Sequence, residues 1–311
     1  MPRTSLLAPL TLTLALASTA CPGAETKKTD GKVEAKTDPK AATPPADEPK
    51  RDPGTSLDKA VTAIDLAGPV PPEASAVFFA VDGALIPVGC YLHDKKKIGS
   101  GKDCLKVVKA GDEVYLKSKD SENLDKIGAP KAAMCEVGGA GDPTSLSVAA
   151  VDAGATFDFA VAPKSFARQI VVIPEESWSD KKPTLTAEET AAIAGIAKVE
   201  GELTVRQVAI QDLDGDGTPE KIVSVAQINP KDSERLSVSG VYVQRGGAWT
   251  TVETTKNDTL SYTVRAAIDL DGDRKHELWI NSVSTEGGGG DRIYQLTATG
   301  GTGLGKWTCG T

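Results

Sequence analysis

The 311-residue sequence is poor in the residues most catalysts need: it has two histidines, His93 and His276, and only 5% aromatics. A serine or cysteine nucleophile of the common type needs a histidine beside it, and two isolated histidines are a thin source of one. His-Glu-x-x-His and Gly-x-Ser-x-Gly are both missing, which removes the common metalloprotease and serine-hydrolase signatures. Without a Cys-x-x-Cys pair, the usual zinc sites are excluded as well. Basic charge is short too, with 35 Lys and Arg against 43 Asp and Glu and a net charge of −8. Nucleic acid is therefore not an expected partner, since a basic stripe is its first requirement. The stretch Gly300-Gly-Thr-Gly-Leu-Gly-Lys-Trp307 matches a phosphate loop as far as Lys306. It fails at Trp307, where a Ser or Thr would hold magnesium, and it reads as a hairpin turn. No catalytic constellation emerges, and the chain is expected not to be an enzyme.

What the sequence does contain is acid at regular spacing. Residues 208–224 place Asp212, Asp214, Asp216 and Glu220 around two glycines. Residues 265–281 repeat the arrangement with Asp269, Asp271, Asp273 and Glu277, offset by 57 residues. Four acids within nine residues repel one another unless neutralised, and a hard cation such as calcium collects six to eight oxygens at about 2.3–2.6 Å. Positions 1, 3 and 5 and the acid at position 9 are the candidate ligands. Position 7, Thr218 or Lys275, would offer its backbone carbonyl. An EF-hand closes with Glu at position 12, which here is Val223 or Ile280, and neither can ligate. The flanks Thr-Val-Arg-Gln-Val-Ala-Ile and Lys-Ile-Val-Ser-Val alternate as half-buried strands do, so each unit reads strand, loop, strand.

On these residues the chain resembles the FG-GAP-type calcium repeats of integrin-like β-propellers, whose Asp-x-Asp-Gly-Asp-Gly-x-x-Asp loop joins two strands. The resemblance implies one calcium ion on Asp212, Asp214, Asp216 and Glu220 and a second on Asp269, Asp271, Asp273 and Glu277. Position 9 is Glu where the family usually has Asp, and position 6 is Gly217 in the first loop but Arg274 in the second. A left-handed backbone there costs a residue with a Cβ about 1–2 kcal/mol, so the second site is expected to be the weaker.

The first 20 residues, with Arg3, an apolar run from Leu6 to Ala17 and small residues before Cys21, read as a secretory signal. They resemble a bacterial lipoprotein signal, which implies a lipid on Cys21 and a membrane as partner. The apolar run is too short to span a bilayer, which takes about 20 residues. Residues 21–56 hold almost nothing apolar and read as a disordered tether. Export makes disulfides the default for Cys90, Cys104, Cys135 and Cys309. Three pairings are possible, with Cys90–Cys104 favoured across a hairpin that turns at Lys95–Gly101, leaving Cys135–Cys309.

The expected fold is mainly β. A small sheet or barrel-like domain spans 57–183, a helix with a Thr186/Glu189 capping box spans 184–201, and two blade-like antiparallel sheets with the calcium loops span 202–311. Ile193, Ile196 and Ala197 are the helix's expected apolar side, with Gly201 at its C-terminal cap. The expected role is that of an extracytoplasmic, lipid-anchored binding or scaffolding module at the bacterial cell envelope, with an unknown protein or polysaccharide as partner. A calcium-dependent hydrolase of propeller type, or a carbohydrate- or cell-wall-binding module, is the alternative.

Overall fold

The computed structural model describes residues 75–131, 145–174 and 185–309, all within one compact unit, Lys59–Thr311. The signal, the tether, Cys21, Cys135 and Trp178 fall outside the described residues. Among the described residues no helix is long and apolar enough to cross a membrane.

The chain begins with β1 (Val77–Val81), β2 (Leu85–Leu92), β3 (Lys97–Gly99), β4 (Glu113–Lys117), β5 (Glu122–Lys131) and β6 (Ser145–Val148). A single helical turn, α1 (Ala149–Asp152), leads to β7 (Phe159–Ala162). Six of these strands run β1-β7-β4-β5-β6-β2, and β2 pairs back onto β1, closing a barrel with β3 appended to β2. Closure leaves those six strands no free edge to aggregate. Side chains obey the two-residue period of a strand: Val77, Phe79, Val114, Leu116, Ala160 and Ala162 fill the interior. Their neighbours Phe78, Tyr115, Phe159 and Val161 point out into a second core.

The Cys90–Cys104 disulfide is present, but the expected hairpin partner strand is not. Cys104 sits in a short 3-10 helix, Gly101–Lys106, while the residue opposite Cys90 in the ladder is Gly99. A Cβ at Gly99 would lie 2.9 Å from Leu92 Cδ1 and 3.5 Å from Cys90 Sγ, so the missing side chain is what lets the chain pass and bring Cys104 up to its partner. Residue 135, and with it the Cys135–Cys309 pairing, lies outside the described residues.

After the barrel come β8 (Ile170–Val172) and α2 (Ala187–Ala197), then β9 (Thr204–Gln211), β10 (Glu220–Asn229), β11 (Asp232–Arg245), β12 (Ala248–Thr255), β13 (Leu260–Ile268), β14 (Glu277–Ser284), β15 (Gly289–Thr297) and β16 (Gly300–Cys309). They form a four-stranded sheet, β12-β11-β10-β9, and a five-stranded one, β16-β15-β14-β13-β8. The sheets face each other across Ile222, Val241, Val243, Val264, Leu278 and Ile280. The far side of the five-stranded sheet, through Ala266, Ile268, Trp279 and Ile293, packs on the barrel's outer face. Trp279 meets Phe78 and Phe159 at ring-centroid distances of 4.9 and 6.0 Å and is a packing residue, not a ligand platform.

Strand β8, although inside the 57–183 segment expected to form the first domain, pairs with β13 at the edge of the second blade. Helix α2 has its capping box, Thr186 Oγ1 accepting from the Glu189 N–H at 3.2 Å and the Thr186 N–H donating to Glu189 Oε2 at 2.9 Å. It ends earlier than expected, with Lys198 and not Gly201 adopting the left-handed cap at φ 55°. It also does not lie between the two halves: Ile193 packs on Val223, Val225 and Tyr242, the outer face of the four-stranded sheet, while Ile196 is left exposed.

The stretch resembling a phosphate loop, Gly300–Trp307, lies wholly within strand β16 and is not the hairpin turn expected. Its glycines are sites of close approach: a Cβ at Gly305 would collide with the Val88 carbonyl of the barrel, and one at Gly301 would lie 2.6 Å from the Val252 carbonyl of β12. Gly-rich sequence here lets one strand pack tightly against two neighbours.

Candidate metal centres

Each acidic loop closes a hairpin. Gln211 pairs with Glu220 at the end of the β9–β10 ladder, and Ile268 pairs with Glu277 at the end of β13–β14, so residues 212–219 and 269–276 are the turns. Within them the sequence repeat becomes a repeat of hydrogen bonds. In the first loop Asp212 Oδ1 accepts from the Gly215 N–H at 2.8 Å and Oδ2 from Gly217 at 2.9 Å, while Asp216 Oδ1 accepts from Thr218 at 2.6 Å. In the second, Asp269 accepts from Gly272 at 2.8 Å and Arg274 at 3.2 Å, and Asp273 Oδ1 from Lys275 at 2.7 Å. Position 6 is left-handed in both, at φ 86° for Gly217 and 70° for Arg274.

The coil brings the carboxylates of Asp212, Asp214 and Asp216 together, with one oxygen of each within 4.8 Å of the others, and does the same for Asp269, Asp271 and Asp273. Each triad could hold a metal ion, and an all-oxygen donor set suits a hard cation. Glu220 and Glu277 stand outside those two groups. One oxygen of each is bound to backbone, Glu220 Oε2 to the Leu213 N–H at 2.6 Å and Glu277 Oε2 to the Leu270 N–H at 3.1 Å. Thr218 and Lys275 take part through their N–H groups.

Burial separates the two loops. The difference lies at position 1, where Asp269 is 8% exposed and Asp212 only half-buried, whereas the closing glutamates are buried in both, Glu220 at 5% and Glu277 at 1%. Burial pushes the Glu277 carboxyl up to about 8, and it is also the largest cause of the upward shifts at Glu220, Asp269 and Asp271. At Glu220 the hydrogen bond from Leu213 and the charge of Arg245 pull the other way. Burial thus disfavours the charged forms of Glu220, Asp269, Asp271 and Glu277, and a bound cation would relieve that.

Two leucines inside the loops were not singled out from sequence. Leu213 and Leu270, at position 2, are 0% and 1% exposed. Leu213 joins the core between the sheets and Leu270 the core against the barrel, so each loop is nailed to a different core. An apolar residue at the same position of both loops was the available signal. The loops also touch: the His276 N–H donates to the Leu213 carbonyl at 2.7 Å, and a Cβ at Gly215 would lie 3.1 Å from the Arg274 carbonyl.

Two polar clusters elsewhere are invisible in local sequence. Asp291, 5% exposed, accepts from Trp279 Nε1 at 2.7 Å and Asn281 Nδ2 at 3.1 Å, and burial raises its carboxyl. On the opposite face of that sheet, Arg292 and Tyr294 bond to Glu253 of β12, a hydrogen-bonded group between the two blades. Compared with protein-family models, curated proteins and solved structures, the chain matches none of them.

Proposed function

We propose that the protein is an exported, membrane-anchored calcium-binding β protein that serves as a binding or scaffolding module at the bacterial cell envelope, with both acidic loops as structural calcium sites. The observation that carries the reading is the twin geometry: two hairpin turns with the same hydrogen bonds, each gathering three carboxylates within 4.8 Å. A cation would neutralise those acids and lock each loop between a strand pair and a core leucine. Calcium fits better than a softer metal because every candidate donor is oxygen. Export through a signal over residues 1–20 supports it too, since millimolar calcium saturates extracellular sites with Kd of about 10⁻⁴–10⁻³ M.

The second site is the weaker in this reading. Residues 212–220 carry four acids and no base, whereas Arg274 and Lys275 join the four acids of 269–277. Lys275 Nζ already stands 3.9 Å from Asp273 Oδ2 and competes with a cation for it.

The hydrolase alternative would need an open metal position with basic residues such as Lys221, Arg274 or Lys275 converging on it. Lys221 is instead paired with Glu189 of α2, which leaves the scaffold reading better supported. Calorimetric titration of the full chain with calcium tests the proposal: two sites are expected, with the tighter lost in a D214A/D216A variant. A flat titration would refute it.

A further inference from the structure

Between the two blades lies a cleft of about 170 Å³ lined by Glu253, Tyr262, Ser282, Arg292, Tyr294 and Lys306, among others. We propose that it binds the oxyanion group of a small ligand, a carboxylate or phosphate monoester, through Arg292 and Lys306. The cleft is smaller than the 300–1,000 Å³ of sites that enclose a whole drug-sized molecule, so it suits an end group and not a full ligand.

Charge placement supports the assignment. Arg292 and Lys306 are direct cross-strand partners on β15 and β16, and like charges opposite each other in a sheet are unfavourable. Arg292 is also paired with Ile280, which faces the four-stranded sheet. Both cations therefore sit on the blade-facing side. Asp291, one residue along β15, also lines the cleft, but its Oδ1 is taken up by Trp279 Nε1 and Asn281 Nδ2. Among the described residues the acids lining the cleft are Glu253, which is paired with Arg292, and the buried Asp291, and Lys306 makes no ion pair. In a chain of net charge −8, an uncompensated cation at the mouth of a cleft runs against the general surface.

The guanidinium is also preorganised. Glu253 Oε2 accepts from Tyr294 OH and, at 3.3 Å, from Arg292 Nη1, and Arg292 Nη1 also lies 3.3 Å from Tyr294 OH. The guanidinium is held 5.7 Å from the Tyr294 ring centroid. Among the described residues all of its hydrogen bonds use Nη1, and the side chain is 39% exposed. The edge carrying Nη2 and Nε is thus free to donate two parallel bonds to an oxyanion, the geometry for which arginine is suited. Gly303 makes room for it: a Cβ there would lie 3.0 Å from Arg292 Cδ.

The test uses the full chain, in EDTA and again in calcium, so that its outcome does not depend on the metal loops. Arginine Nε–H signals are followed by NMR during titration with inorganic phosphate, glucose 6-phosphate, glucuronate, and glucose as a neutral control. Arg292 is assigned by its absence in R292K. The Arg292 signal is expected to shift saturably with at least one anion and not with glucose; the anion that saturates it identifies phosphate or carboxylate as the group. K306Q, on an exposed position that should not disturb folding, is expected to weaken binding about tenfold, as loss of one charge-assisted bond implies. No saturable shift with any anion, or K306Q binding like the native chain, would overturn the proposal.

Discussion

Arg274 holds a left-handed backbone, φ 70°, at the position where the twin loop has Gly217 at φ 86°. The conformation costs a Cβ-bearing residue about 1–2 kcal/mol, so R274G should raise the stability of the metal-free protein by about 1 kcal/mol in urea unfolding and tighten calcium at the second loop by removing a positive charge. This requirement was readable in the sequence, because the two loops align residue by residue and only one of them has glycine there. Asp291 was not readable, since its burial and its bonds to Trp279 and Asn281 arise from packing against the barrel. Burial raises its folded pKa above the usual value of 3.8. The folded state then binds more protons than the unfolded one between those two values, so this group's contribution to stability falls as pH rises through the window. D291N keeps an acceptor for both donors and should lack that component. Melting curves of both forms in saturating calcium should diverge in its favour from pH 4 upward, and parallel curves would remove Asp291 from the account.

At the scale of elements, the acidic loops are hairpin turns whose acids face one way while a leucine points the other. Alternation in the flanks foretold the strands, and the spacing of acids foretold the turns. The anchoring by Leu213 and Leu270 needed knowledge of which core lay beneath. L213A should cost about 2–5 kcal/mol, as buried leucine truncations do. I210A, three residues earlier at a position 66% exposed, should stay within about 0.5 kcal/mol; equal effects in chemical denaturation would contradict the anchoring. Helix α2 shows the same division. Its N-terminus is fixed by a local capping box and was legible, whereas its end at Lys198 and its seat on Val223, Val225 and Tyr242 depend on a sheet formed later in the chain.

The whole molecule stacks helix, four-stranded sheet, five-stranded sheet and barrel through three successive cores. The mainly β class, the barrel and the two blade-like sheets could be read from strand periodicity and from the 57-residue repeat. The order of layers could not, because it rests on pairings far apart in sequence, such as β8 with β13. Gly305 marks the docking of sheet on barrel, and G305A should destabilise by more than about 1–3 kcal/mol, since its Cβ meets the Val88 backbone and not a side chain that can rotate away. Circular dichroism melts of that variant would check it. The most direct measurement for the whole is thermal unfolding of the full chain in EDTA and in millimolar calcium. At ten times Kd each site adds about 1.4 kcal/mol, so two sites should raise Tm by on the order of 3–10 °C, with about half of the gain lost in D214A/D216A. Identical melting temperatures in EDTA and calcium would contradict the claim that the acidic loops are calcium sites that hold this fold together.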